Sequence, residues 1–220
     1  MKKLLLSIIL VSSFSFSQET DYEGFMNFSY NDDSGKIILE IKNLDSEFMY
    51  INSLSRGVGN NDLGLDRGQL GNSRIVYFTK RGNKILLIQP NLRYISTSSN
   101  NLENKAVEEA FARSVLFGFE IIEKSEDSYK VDLTPFLIND AHGVSLRLKY
   151  LKSGSYTLNK SMSAIDLERT KSFPKNIEFD VLLTFTGNPS GNLVRSVTPT
   201  ASNLTVNQHH SFVKLPDNNF

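Results

Sequence analysis

Apolar and polar residues alternate with a period of two through most of this chain. In NIEFDVLLTFTG (176–187), Ile177, Phe179, Val181, Leu183 and Phe185 fall on one face, and Glu178, Asp180 and Thr184 on the other. Alternation over that length predicts a strand with one buried and one wetter face. Pro174 before it and Gly187-Asn188-Pro189 after it punctuate its ends. GKIILEIK (35–42) repeats the pattern and is joined through NDDSG to GFMNFSY (24–30), which predicts a hairpin. EFMYINSL (47–54) reads as another strand, and RIVYFTKRGNKILLIQP (74–90) as a second hairpin turning at Arg81-Gly82-Asn83.

Helical spacing replaces alternation in two places. NNLENKAVEEAFARSVLFG (100–118) carries Val107, Phe111, Ser114 and Val115 at that spacing, with Asn100 and Glu103 as a capping box and Gly118 as the stop. Its carboxylates, Glu103, Glu108 and Glu109, form a solvated face in which Glu109 and Arg113 stand at i,i+4. LTPFLINDAHGV (133–144) predicts a shorter helix with Thr134 as N-cap and Pro135 in the first turn. No repeat, low-complexity tract or linker divides the chain. The expected class is α+β and β-rich: mainly antiparallel sheet with one or two short helices, in a single domain over 18–220.

The first residues stand apart from this pattern. MKKLLLSIILVSSFSFSQ has a basic start, an apolar run from Leu4 to Val11, and Ser15 and Ser17 at the −3 and −1 places of a cleavage site. This is the organisation of a secretory signal over 1–17, too short in its apolar run to span a bilayer. The expected mature chain starts at Gln18 and is exported, periplasmic or extracellular, with no membrane span left after signal removal. Losing Lys2 and Lys3 lowers the 24 basic residues to 22 against 24 acidic ones, a net charge of −2. A nearly neutral chain offers no electrostatic reason for a nucleic-acid partner. With no cysteine, the fold must rest on core burial rather than disulfides.

Candidate chemistry is sparse. The glycine-rich RGVGNNDLGLDRGQLG (56–71) has Asp62 where a dinucleotide fingerprint needs a third glycine, and it lacks the Gly-Lys-Ser/Thr of a P-loop. Asp62 and Asp66 with Asn60 and Asn61 offer oxygen ligands for calcium, without EF-hand spacing; the competing reading is a loop held by Asx turns and glycine dihedrals. There is no cysteine nucleophile and no Gly-x-Ser-x-Gly elbow. His142, His209 and His210 are the only histidines, hence the only candidate metal-ligating or base imidazoles, and no His-Glu-x-x-His is present. His142 precedes a glycine in a turn, where a hydrogen bond to backbone is expected. LTVNQHHSFVKL (204–215) reads as a strand that puts His209 with Val213 and Leu215, and His210 with Phe212 on the opposite face, which disfavours one shared ion.

LDSEFMYINSLSRGVGNNDLGLDRGQLG (44–71), QPNLRYIS (89–96), AVEEAFARSVLFGF (106–119), DAHGV (140–144), RTKSFPKNIEFDVLLTFTG (169–187) and VRSVTPTASNLTVNQHHSFVKLPD (194–217) together resemble the N-terminal domain of unknown function of secreted bacterial zinc-dependent metalloproteases. The resemblance runs from Tyr22 onward. It implies a cis partner, a metzincin-like catalytic domain carrying His-Glu-x-x-His-x-x-Gly-x-x-His with its zinc, and no cofactor in this chain itself. No catalytic or zinc-binding residue of that domain has a counterpart here. The expectation is therefore a non-catalytic accessory domain, truncated before the protease, whose loops 56–71 and 196–210 dock on it or border its cleft. A stand-alone secreted binding module for a glycan or protein is the alternative, and a hydrolase using His142 or the 209–210 pair a third.

Overall fold

The structure, a computed structural model, describes residues 19–217; the signal expected over 1–17 lies outside them. Strands β1 (Glu19–Tyr22), β2 (Phe28–Asn31) and β3 (Lys36–Ile41) are followed by β4 (Glu47–Arg56), β5 (Leu70–Arg81) and β6 (Lys84–Gln89). Helix α1 (Asn101–Ala110) precedes β7 (Ser114–Lys124) and β8 (Tyr129–Asp132). Helices α2 (Thr134–Leu137) and α3 (Val144–Tyr150) lead into β9 (Gly154–Phe173), β10 (Asn176–Pro189) and β11 (Asn203–Lys214). All the strands join one antiparallel sheet in the order β1-β2-β3-β8-β7-β6-β5-β4-β11-β10-β9. The class is α+β and β-rich.

The sheet coils on itself. Phe28, near one end, packs 4.9 Å from Phe179, near the other. The Phe25 N–H donates to the Phe173 carbonyl at 2.8 Å, tying the β1–β2 connection to the end of β9. The concave face collects the apolar side of each alternating strand, with Phe48, Phe78, Phe119, Phe179 and Phe212 buried together. Each ring so buried contributes roughly 1.5–3 kcal/mol. Helix α2 lies on this face, where Phe136 meets the rings of Tyr50, Phe119 and Phe212.

The hairpin expected at 81–83 is present. Arg81 pairs with Lys84, and Gly82 takes φ 59° in the turn. Strand β6 ends at Gln89 because Pro90 has no N–H to continue a ladder. Strand β5 runs back to Leu70 beside β4, so its Leu70–Val76 stretch has a strand neighbour on one edge only.

Several expectations are corrected. Helix α1 stops at Ala110, and 114–118 belong to β7, because the second edge of β6 takes Ser114–Glu120 as its partner. Asn100 does cap α1, accepting from the Leu102 N–H at 3.0 Å. Glu109 pairs with Lys105 at 3.6 Å, while Arg113 lies past the helix and reaches the Tyr77 hydroxyl. Thr134 is not an N-cap: it is already helical, and its Oγ1 accepts from the Ile37 N–H of β3. There are three short α-helices among the described residues, one more than the upper expectation.

Strand β9 shows no clean alternation because it carries two large bulges against β10. Residues 167–170 face Phe179 alone, and 160–163 face Leu183 alone. In the first, Thr170 Oγ1 donates to the Asp166 carbonyl at 2.9 Å and accepts from the Asp180 N–H at 3.3 Å. In the second, Ser163 Oγ donates to the Asn159 carbonyl at 2.8 Å and accepts from the Thr184 N–H at 3.1 Å. Each hydroxyl stands in for a β9 carbonyl that the bulge has moved away. The outer face of β10 is only partly wet: Asp180 is fully buried and Thr184 nearly so, while Glu178, Leu182 and Thr186 are half-buried.

Candidate functional site

The register of β10 and β11 separates the two histidines. Asp180 pairs with His209, and Phe179 with His210, so the former lies on the convex face and the latter inside the coil. His209 Nε2 is 2.7 Å from Glu178 Oε2, and its Nδ1 is 3.1 Å from Asp180 Oδ2. Two carboxylates on two ring nitrogens require both nitrogens to donate, which makes the ring an imidazolium. Burial by itself would lower the His209 pKa; the hydrogen bonds and charges of Asp180 and Glu178 override it and raise the value to about 9. The reciprocal effect holds both carboxyls below their ordinary range, although burial pushes the other way.

Neighbouring groups complete this cluster. Glu178 also accepts from Ser211 Oγ and, at 2.6 Å, from Asn176 Nδ2. Asn207 Nδ2 donates to Asp180 at 2.8 Å and to Asp166 at 3.1 Å, spanning from β11 across to β9. The arrangement is a cation clamped between strands. It leaves His209 no lone pair with which to act as a base or metal ligand. The Ser211 hydroxyl points at Glu178 rather than at the imidazole, so no serine–histidine relay forms.

His210 is enclosed. Its Nδ1 is 2.9 Å from Tyr50 Oη, and its Nε2 lies 3.2 Å from the Leu137 carbonyl and 2.9 Å from Gln208 Nε2. The ring stacks on Tyr50 and abuts Phe136. Burial lowers its pKa to about 4, with the Leu137 carbonyl opposing, so the ring is neutral. Burial likewise pushes the Tyr50 hydroxyl upward, against the Arg74 charge.

His142 departs from expectation, because its ring meets a side chain: Nδ1 is 3.3 Å from Asn52 Nδ2. Its backbone N–H donates to Gln208 Oε1 at 2.8 Å, while Gln208 Nε2 donates to the Asn139 carbonyl. The turn before α3 is thereby fastened to β11. Asp140 accepts from the Val144 and Ser145 N–H groups at 2.7 and 2.9 Å and caps α3, a role the sequence signalled only as an aspartate four residues ahead of a valine-led helix. The three histidines do not converge, and among the described residues no group of three or more His, Asp or Glu is disposed to hold a metal ion.

The glycine-rich loop is held as an Asx-turn loop. Asn60 Oδ1 accepts from the Asp62 N–H at 3.0 Å, and Gly64 sits at φ 59°. Leu63 and Leu65 are buried, and Arg147 of α3 grips the Leu63 carbonyl at 2.7 Å.

The surface departs most from an ordinary solvated face at 90–113. Helix α1 buries none of its residues. Around it Leu92, Tyr94, Ile95 (66% exposed) and Leu102 (76% exposed) stand open, with Tyr94 stacked on Phe111 at 4.0 Å. A groove of about 870 Å³ runs between this excursion and Tyr77. Helical spacing of Val107 and Phe111 carries no signal that this side stays uncovered, because burial depends on what packs against it. Among the described residues no helix is long and apolar enough to cross a membrane.

The family model of a domain of unknown function, DUF5117, matches residues 68–220. No curated protein and no solved structure matches the chain.

Proposed function

The chain belongs to the DUF5117 family, and we propose that this member is a non-catalytic accessory domain of an exported zinc-dependent metalloprotease, packed against the catalytic domain. The observation that carries the reading is the 90–113 excursion. Several exposed apolar side chains beside a stacked aromatic pair and a helix that buries nothing are what a protein interface leaves behind when its partner is absent. The segmental resemblance supplies the partner's identity, and the zinc with its ligands resides in that partner. The clamped His209, the enclosed His210 and the turn-bound His142 are consistent with a scaffold whose histidines are used for structure.

The test combines this chain with a separately produced metalloprotease catalytic domain of the resembling type. Association by calorimetry and a rise in the melting temperature of either component are expected, both weakened in the Ile95→Asp chain. No association together with no mutual stabilisation defeats the proposal.

A further inference from the structure

Beside the exposed excursion, the sheet has an open place. Strand β5 pairs with β4 from Leu70 to Tyr77, but with β6 only from Tyr77 to Arg81. Among the described residues, the second edge of β5 between Leu70 and Val76 faces no strand, and no other backbone group bonds to it. Seven residues at about 3.3 Å each give this edge a length of roughly 23 Å. It borders a cleft of about 440 Å³ lined by Ser73, Arg74, Ile75, Gln89, Leu92 and Arg93, among others, with no Asp or Glu in its lining. The chain that would have filled it turns away at Pro90.

Charge sharpens the picture. Arg74 lies over the Tyr50 ring and donates to the Asn72 carbonyl; Arg93 lies over the Tyr94 ring. Among the described residues neither has a carboxylate partner and no arginine forms an ion pair, whereas several lysines do. An open strand edge supplies main-chain donors and acceptors, and two unpaired guanidiniums next to it supply complementarity for carboxylates.

We propose that the Leu70–Val76 edge of β5 binds an extended acidic segment of a protein partner by strand addition, with Arg74 and Arg93 engaging its carboxylates. This rests on the reading that this side of the domain meets a protein, and adds the backbone form and the charge of the segment it takes.

The probe is a capped hexapeptide, Asp-Val-Asp-Val-Asp-Val, titrated into the isotope-labelled full chain and followed by amide chemical shifts and hydrogen exchange. Shifts confined to 70–76 and 89–93, with slowed exchange along 73–76, are expected. The Lys-Val-Lys-Val-Lys-Val peptide, and the Asp-Pro-Asp-Pro-Asp-Pro peptide that lacks donors at alternate positions, should bind about tenfold or more weakly, as should the Asp-Val peptide to Arg93→Glu. Arg93 is exposed, and unchanged core amides verify that the variant is folded. Shifts elsewhere, equal binding of the lysine peptide, or no shifts at millimolar Asp-Val peptide overturn the inference. Association with the catalytic domain is measured separately: association without peptide binding removes only strand addition, and peptide binding without association removes only the metalloprotease reading.

Discussion

Replacing His209 by Gln should erase a specific limb of the stability–pH profile. The native imidazolium has a pKa of about 9 against an ordinary 6.5. At about 1.36 kcal/mol per pKa unit, that difference corresponds to on the order of 3 kcal/mol. The side chain is 23% exposed and Asp180 fully buried, so solvent screens the pair only in part. Because the folded pKa is raised, the contribution is complete below pH 6.5 and is lost as pH rises through 9. Glu178 and Asp180 have the opposite sign: their folded values are depressed, so their contribution is present above the ordinary carboxylate range and is lost as pH falls through the folded values. His210 adds to that acid limb, since the unfolded ring takes a proton near 6.5 and the buried one only near 4. Stability should therefore peak near pH 6.5. Urea unfolding from pH 4 to 10 should show His209→Gln lower by about 3 kcal/mol at pH 6, converging on the natural chain by pH 10. A pH-independent gap between the two proteins from 6.5 to 9, or an NMR titration of His209 centred near 6.5, refutes the clamped imidazolium.

Two further outcomes test how the coil is closed. A Cβ at Gly24 would overlap Ser172 Oγ and come within 2.6 Å of the Phe173 carbonyl oxygen, which the Phe25 N–H must approach; Gly24→Ala should destabilise by about 1–3 kcal/mol in urea melts and speed exchange of the Phe25 amide. Thr170→Val keeps the shape but removes the acceptor of the Asp180 N–H, so a loss of about 1–3 kcal/mol is expected, with selective exposure of that amide; an unchanged exchange rate there contradicts the hydroxyl's role in the bulge.

Legibility followed the range of the forces involved. Period-2 alternation in 35–42, 47–54 and 176–187 reports a strand's own geometry, so those elements and the opposite facing of His209 and His210 were readable directly. The Asx turn at Asn60 and the cap at Asn100 are equally local, each needing only a side-chain oxygen and an amide two residues on. Residues 111–118 were misread because a helical and an alternating pattern overlap there, and the choice belonged to the open edge of β6.

Strand β9 was missed for a related reason. Its bulges break the alternation, and the hydroxyls that repair them act on amides of another strand. The charges of the two histidines depended on cross-strand register. Adjacent, chemically identical side chains became a cation and a neutral ring because one faces Glu178 and Asp180 while the other faces Tyr50 and Phe136. Periodicity assigns a residue its face, but long-range pairing chooses the neighbours on it, and those neighbours set the protonation state.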